Sequence, residues 1–221
     1  MTQKSRVLVF DLDDTLYKEL DYLKSAYREI ADLVESRYGA PKGISDQMLR
    51  WWQNGENVFR QLIETYKLEL SVDDLLTIYR SHIPTIHLDE NVKELLDCLY
   101  QHAVLGIITD GRGVTQRHKV EALGLLTYMD EQNILISEET GYEKPSDRSF
   151  RQFMKRYPSR TYYYIGDNPT KDFVAPNCLG WTTICLLDDG RNIHRQDFGQ
   201  PHQMLPQYRI SQLTEIENII I

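Results

Sequence analysis

Three carboxylates, Asp11, Asp13 and Asp14, fall within one turn of chain in the stretch Arg6–Tyr17, RVLVFDLDDTLY. Acidic groups packed so closely repel one another unless a cation or a phosphate-handling site stabilises them. Mg2+ is the expected cation. Further polar residues recur downstream in short clusters: Thr109-Asp110-Gly111, then Lys144, then Asp167 and Asp172.

These clusters share a position relative to the apolar segments that precede them. Val7–Phe10 is a short run of aliphatic and aromatic residues without charge or glycine, the pattern of a strand buried on both faces. Ala103–Thr109 (AVLGIIT), Ile134–Ser137, Thr161–Ile165 (TYYYI) and Thr182–Leu187 read as further strands. Helical patterns at Asn91–Gln101, Val114–Leu123, Ser146–Tyr157 and Thr170–Leu179 alternate with them. This rhythm predicts an α/β, doubly wound, Rossmann-like parallel sheet. Each polar cluster follows a strand, and the C-terminal edge of an open parallel sheet is where ligands bind.

One interval breaks the rhythm. Leu16, Leu20, Leu23, Tyr27, Ile30 and Val34 are spaced as the stripe of a long amphipathic helix, which Gly39-Ala40-Pro41-Lys42-Gly43 stops. Helical patterning continues from Ser45 to His82, with Ser71 as a helix cap and Asp74 three residues on. Such a span is too long for an ordinary crossover, so residues 17–87 are expected to form a separate helical domain inserted into a core of 1–16 and 88–221. Trp51, Trp52, Tyr66 and Tyr79 are expected to pack between its helices. Asp188–Gln207, rich in Gly, Asp, Asn, Gln, His and Pro, reads as an extended loop. Its Asp188–His194 part follows the last core strand, in reach of the same sheet edge, and is expected to be a plain turn with Gly190 at the tight position. Ile210, Leu213, Ile216 and Ile219 suggest a closing helix of period three.

Composition excludes several function classes. The formal net charge of −8 disfavours nucleic acid as a partner. No apolar run approaches the ~20 residues of a membrane span. The start MTQKSRVLVF lacks a signal-peptide pattern, so a cytoplasmic location is expected. Cys98, Cys178 and Cys185 are odd in number and widely spaced, which suggests reduced, buried thiols. The six histidines show no zinc-ligand spacing. Nothing in the sequence specifies an oligomeric state.

In order and spacing, the polar clusters resemble the four motifs of the haloacid dehalogenase-like (HAD) superfamily. Asp11-Leu12-Asp13-Asp14-Thr15 matches the first, Ile107–Gly111 the second, Lys144-Pro145 the third and Gly166–Asp172 the fourth. The helical insert lies where that superfamily's C1-type cap lies. The resemblance implies hydrolysis of a small phosphorylated substrate through an aspartyl-phosphate, with Asp11 as nucleophile and Asp13 as general acid and base. It implies phosphate binding by Thr109, the Asp110 backbone, Gly111 and Lys144. It further implies Mg2+ held by Asp11, the Asp13 carbonyl and Asp167, with Asp172 as an outer ligand. Asp110 departs from the commoner Asn, and its carboxylate is useful beside phosphate only if it points away. Asp14 reads equally as a turn or helix-capping residue. A phosphomutase using the same nucleophile and a catalytically silent binding scaffold are the alternatives. A receiver module, which also combines acidic residues, Thr and Lys, would have no reason for the helical insert.

Overall fold

The computed structural model describes residues 4–220, so residues 1–3 and 221 of the expected core lie outside it. In chain order the elements are β1 (Arg6–Phe10), α1 (Glu19–Tyr38), α2 (Ile44–Gln53), α3 (Val58–Tyr66), α4 (Val72–Ser81), α5 (Glu90–His102), β2 (Ala103–Thr109) and α6 (Gly113–Ala122). There follow β3 (Ile134–Ile136), α7 (Ser137–Thr140), α8 (Arg148–Arg156), β4 (Thr161–Gly166), α9 (Val174–Cys178), β5 (Thr182–Leu186) and β6 (Tyr208–Ile210). The strands form one parallel sheet in the order β3-β2-β1-β4-β5-β6.

Strand β1 lies at the centre because four of its five side chains are apolar and fully buried. Leu8 and Phe10 point to one face, among Leu95, Leu96 and Leu99 of α5. Val7 and Val9 point to the other, among Phe150 and Phe153 of α8. Each such side chain contributes about 1.5–3 kcal/mol on burial, so both layers of helices are fixed to this strand. On β2, Gly106 lets α8 approach: a Cβ there would overlap the Phe153 ring and the Asn133 carbonyl oxygen. Gly106→Ala is therefore expected to lower stability by about 1–3 kcal/mol through overpacking, read as a lower urea midpoint at unchanged slope.

Helices α1 to α4 pack around a cluster of their own that includes Leu23, Ile30, Val34, Met48, Trp51, Leu62 and Leu75. Trp52, Tyr66 and Tyr79 pack against this cluster. Gly39 ends α1 in the left-handed conformation at φ 64°, which glycine adopts without steric cost. Ser71 and Asp74 form a reciprocal capping box at the start of α4.

Four sequence expectations change. The helix expected over Thr170–Leu179 is confined to Val174–Cys178. Asn168 and Asp172 side chains take up the local N–H groups of Thr170, Asp167 and Asn168, and such bonds compete with helix formation. Tyr208–Ile210 is an edge strand beside β5; Tyr208 and Arg209 are exposed, which erases any buried alternation. The closing segment Leu213–Asn218 is a 3-10 helix, whose three-residue turn explains the spacing of Leu213, Ile216 and Ile219. Finally, Cys98 and Cys178 are exposed and only Cys185 is buried. Apolar neighbours along a helix do not share its face, and the buried stripe of α5 passes through Leu95, Leu96 and Leu99 instead. No helix among the described residues is long and apolar enough to cross a membrane.

Candidate active site

The strand order reverses at β1, which is flanked by β2 and β4. At such a switch point the loops leaving the strands diverge and open a crevice. Asp11 follows β1 directly, and its backbone N–H donates to the Ile165 carbonyl at 2.7 Å, so the exits of β1 and β4 are tied together. Thr109 ends β2, and Asp167 follows β4. A cavity of about 130 Å³ opens here, lined by Asp11, Asp13, Thr109, Asp110, Asp167 and Lys171 among others.

Lys144 reaches this point from the loop between α7 and α8. Its ammonium lies 2.9 Å from Asp11 and 2.8 Å from Asp172, with the three side chains almost fully buried. Burial works against the ammonium, but Asp11 and Asp172 outweigh it and raise the Lys144 pKa well above its ordinary value. Asp11, Asp167 and Asp172 bring carboxylate oxygens within 4.8 Å of one another, and all three residues are buried. One ammonium does not balance three carboxylates. Burial, together with the neighbouring carboxylates, pushes Asp167 up to about 9. Asp11 rises to about 6 because burial and Asp172 outweigh Lys144. A hard divalent cation with oxygen ligands fits this donor set.

Asp13 has a different environment. One carboxylate oxygen accepts from Lys119 Nζ at 2.7 Å and from the Tyr17 hydroxyl at 2.5 Å. The other accepts from Gln116 Nε2 at 3.0 Å. Burial opposes ionisation, but Lys119, Tyr17 and Gln116 together hold the Asp13 carboxyl below its ordinary value. Gln116 also donates to Thr109 Oγ1 at 2.6 Å, which leaves the threonine hydroxyl proton available to another acceptor.

The Asp110 carboxylate is drawn aside: it accepts from the Lys144 backbone N–H at 3.0 Å and pairs with Lys171 at 3.1 Å. Gly111 is not brought to the cavity in the expected way, since its N–H already donates to Ser137 Oγ at 3.0 Å. Asp172 is wholly buried, and its second oxygen accepts the N–H groups of Asp167 and Asn168 at 3.2 and 2.8 Å. Asp14, at φ 54°, accepts from the backbone of Glu19 at 2.9 Å and of Ile193 at 3.0 Å. Its place is at the first turn of α1.

Several residues escape sequence reasoning. Lys119 and Gln116 of α6 look like ordinary polar helix positions, yet they are 3% and 1% exposed. Glu19, at the start of α1, lines the cavity, and burial with Asp13 pushes it up to about 8. The segment Asp188–His194 is more than a turn. Asn192 donates to Asp167 at 3.0 Å and accepts from Lys18 at 2.8 Å, Ile193 packs on the α1–α4 cluster, and His194 lines the cavity. The preceding strand's direction was the one signal that it approaches this edge.

The sequence profile described as haloacid dehalogenase-like hydrolase matches residues 8–185. A glyceraldehyde 3-phosphate phosphatase of Methanocaldococcus jannaschii is 25% identical over 226 residues, covering 96% of each chain. The pyrimidine 5'-nucleotidase YjjG of Escherichia coli is 30% identical over 129 residues, 57% of this chain and 53% of its own. Among solved structures, the HAD-hydrolase YfnB of Bacillus subtilis, bound to magnesium, superposes with a TM-score of 0.67 at 23% identity, covering 99% of both chains.

Proposed function

The chain belongs to the haloacid dehalogenase-like hydrolase family, and from that premise we propose that it is a Mg2+-dependent phosphomonoesterase acting on a small phosphorylated metabolite. The observation that carries this reading is the meeting of Asp11 and Asp13 at one small cavity, Asp11 paired with the Lys144 ammonium that it shares with Asp172 and Asp13 paired with Lys119. Asp11 attacks phosphorus and displaces the ester oxygen, forming an aspartyl-phosphate. The departing alkoxide takes its proton from Asp13, which then removes a proton from the water that cleaves the acyl phosphate. Asp13 rests in its ionised form, the form that the second step needs. Arrival of a phosphate dianion favours the protonated form that the first step needs, because a like charge disfavours the carboxylate.

Lys144 holds Asp11 in place and offsets charge on the transferring phosphoryl group. Thr109 donates its free hydroxyl proton to a phosphate oxygen, as does the Asp110 backbone N–H. The Asp11 carboxylate, the Asp13 carbonyl and the Asp167 carboxylate would hold Mg2+, with Asp172 behind them. When bound, the ion would supply charge neutralisation and orientation of the phosphate. Residues 17–87 serve as a C1-type cap over the cavity, excluding bulk water from the acyl phosphate. The cavity volume and the name of the archaeal relative support a substrate the size of a triose phosphate.

The test is release of inorganic phosphate from triose and pentose phosphates, nucleoside monophosphates and an aryl phosphate, with Mg2+ and with EDTA. Mg2+-dependent release is expected. A folded protein that releases no phosphate from any of them under either condition would overturn the reading.

The same donor set predicts a pH dependence. Asp167 and Asp11 have pKa values raised in the folded state, to about 9 and about 6. Between their ordinary values and these, the folded state binds protons that the unfolded state has lost. Stability of the metal-free protein therefore falls as pH rises from about 4 towards about 9. Mg2+ replaces those protons, so its stabilising effect is expected to be larger at pH 8.5 than at pH 5. Thermal melting with EDTA or Mg2+ at the two pH values checks the sign.

A further inference from the structure

Lys119 is the one buried ammonium of the site that none of the four motifs supplies. Its side chain is 3% exposed, and its ion pair is with Asp13 at 2.7 Å. A lysine at this depth is costly unless paired, and a methionine would fill the same space without that cost. The ammonium also lies 4.4 Å from the centre of the Tyr22 ring, a favourable cation–π position. Tyr22, in α1, donates its hydroxyl to the Tyr79 carbonyl of α4 at 2.7 Å. The lysine is thus wedged between the Asp13 carboxylate and the helical insert.

Its neighbour on the helix completes the arrangement. Gln116 and Lys119 are three residues apart and share one face of α6. Gln116 binds one oxygen of Asp13, while Lys119 and Tyr17 bind the other. Three donors on two oxygens fix the rotation of the carboxylate plane. Gln116 refers that plane to Thr109 through its second hydrogen bond.

We infer that Lys119 is a positioning residue: through its ion pair it sets the orientation from which Asp13 exchanges a proton with the leaving-group oxygen. The inference rests on the phosphomonoesterase reading. It gives a signature that a purely structural lysine would not. An alkyl phosphate needs its alkoxide protonated as it departs, whereas p-nitrophenyl phosphate releases a stable anion and does not. The ratio kcat/KM reports steps up to that departure, before the shared hydrolysis of the aspartyl-phosphate.

Lys119→Met is expected to lower kcat/KM for glycerol phosphate on the order of 10²-fold, the scale of general acid catalysis. For p-nitrophenyl phosphate the fall is expected to stay within about threefold, and KM for both is expected to change little. Lys119→Arg, which keeps the charge, should recover part of the loss on glycerol phosphate. Tyr17→Phe, which removes a different donor to Asp13 at 2.5 Å and touches no phosphate-binding group, should show the same preference for the aryl ester, and it decides the matter if Lys119→Met does not fold. Equal falls on both esters, or no fall, would overturn the inference. A wild-type protein that cleaves neither ester would instead overturn the phosphomonoesterase reading itself.

Discussion

Asp11→Asn is expected to remove phosphate release from every ester the wild type cleaves, a loss on the order of 10⁴-fold or more, as for other covalent nucleophiles. The amide keeps the shape of the carboxylate but offers no electron pair able to displace an ester oxygen. Stability should move little, or rise. Asp11 is buried beside Asp167 and Asp172, and burial first, with repulsion from Asp172 added, pushes its carboxyl up to about 6. A neutral residue relieves that repulsion and leaves Lys144 paired with Asp172 at 2.8 Å. Phosphate release and thermal melting on the same preparation separate loss of chemistry from loss of fold. Acid-quenched wild type should carry phosphate on Asp11, and the variant should carry none. Activity within tenfold of wild type in Asp11→Asn would place the nucleophile elsewhere.

The residues in this prediction are legible in the sequence for a physical reason. A strand buried on both faces must be apolar, so the point where polarity begins marks its exit. β1, β2 and β4 each announce such a point at Asp11, Thr109 and Asp167. The helical insert is legible for a similar reason, since its apolar residues recur at helical spacing over a stretch longer than a crossover requires. Lys119 and Gln116 are not legible in this way. Their burial comes from contacts with Asp13 and Thr109, 106 and 7 residues away in sequence, and nothing in α6 itself distinguishes them from a solvated polar face. Asn192 is hidden by its surroundings, because Gly and Asp neighbours favour a turn reading whatever the side chain contacts. The tail misleads on two points: Ile210 lies in the edge strand β6, and the period of three that follows belongs to a 3-10 helix rather than an α-helix.

Lys144→Met should have the largest combined effect on stability and activity. The ammonium is 1% exposed and stands between two carboxylates that are 6% and 0% exposed. Replacing it by an apolar residue leaves Asp11 and Asp172 without their cation, with Asp167 adding its own charge. Removing one partner of a buried pair typically costs about 3–5 kcal/mol. The size of the loss should depend on pH in a defined direction. At low pH the carboxyls take up protons, the repulsion is relieved and the loss is small; as pH rises they ionise, and the loss grows. Mg2+ should recover part of it at high pH by supplying positive charge to the same three side chains. Activity should nevertheless stay low, on the order of 10²–10³-fold below wild type, because in the proposed mechanism the lost ammonium also offsets charge on the transferring phosphoryl group. Urea unfolding of Lys144→Met and wild type at pH 5 and pH 8.5, with EDTA or Mg2+, resolves these contributions. A loss of stability equal at both pH values and indifferent to Mg2+ would mean that Lys144 contributes packing rather than charge, and the electrostatic account of the three carboxylates would fail with it.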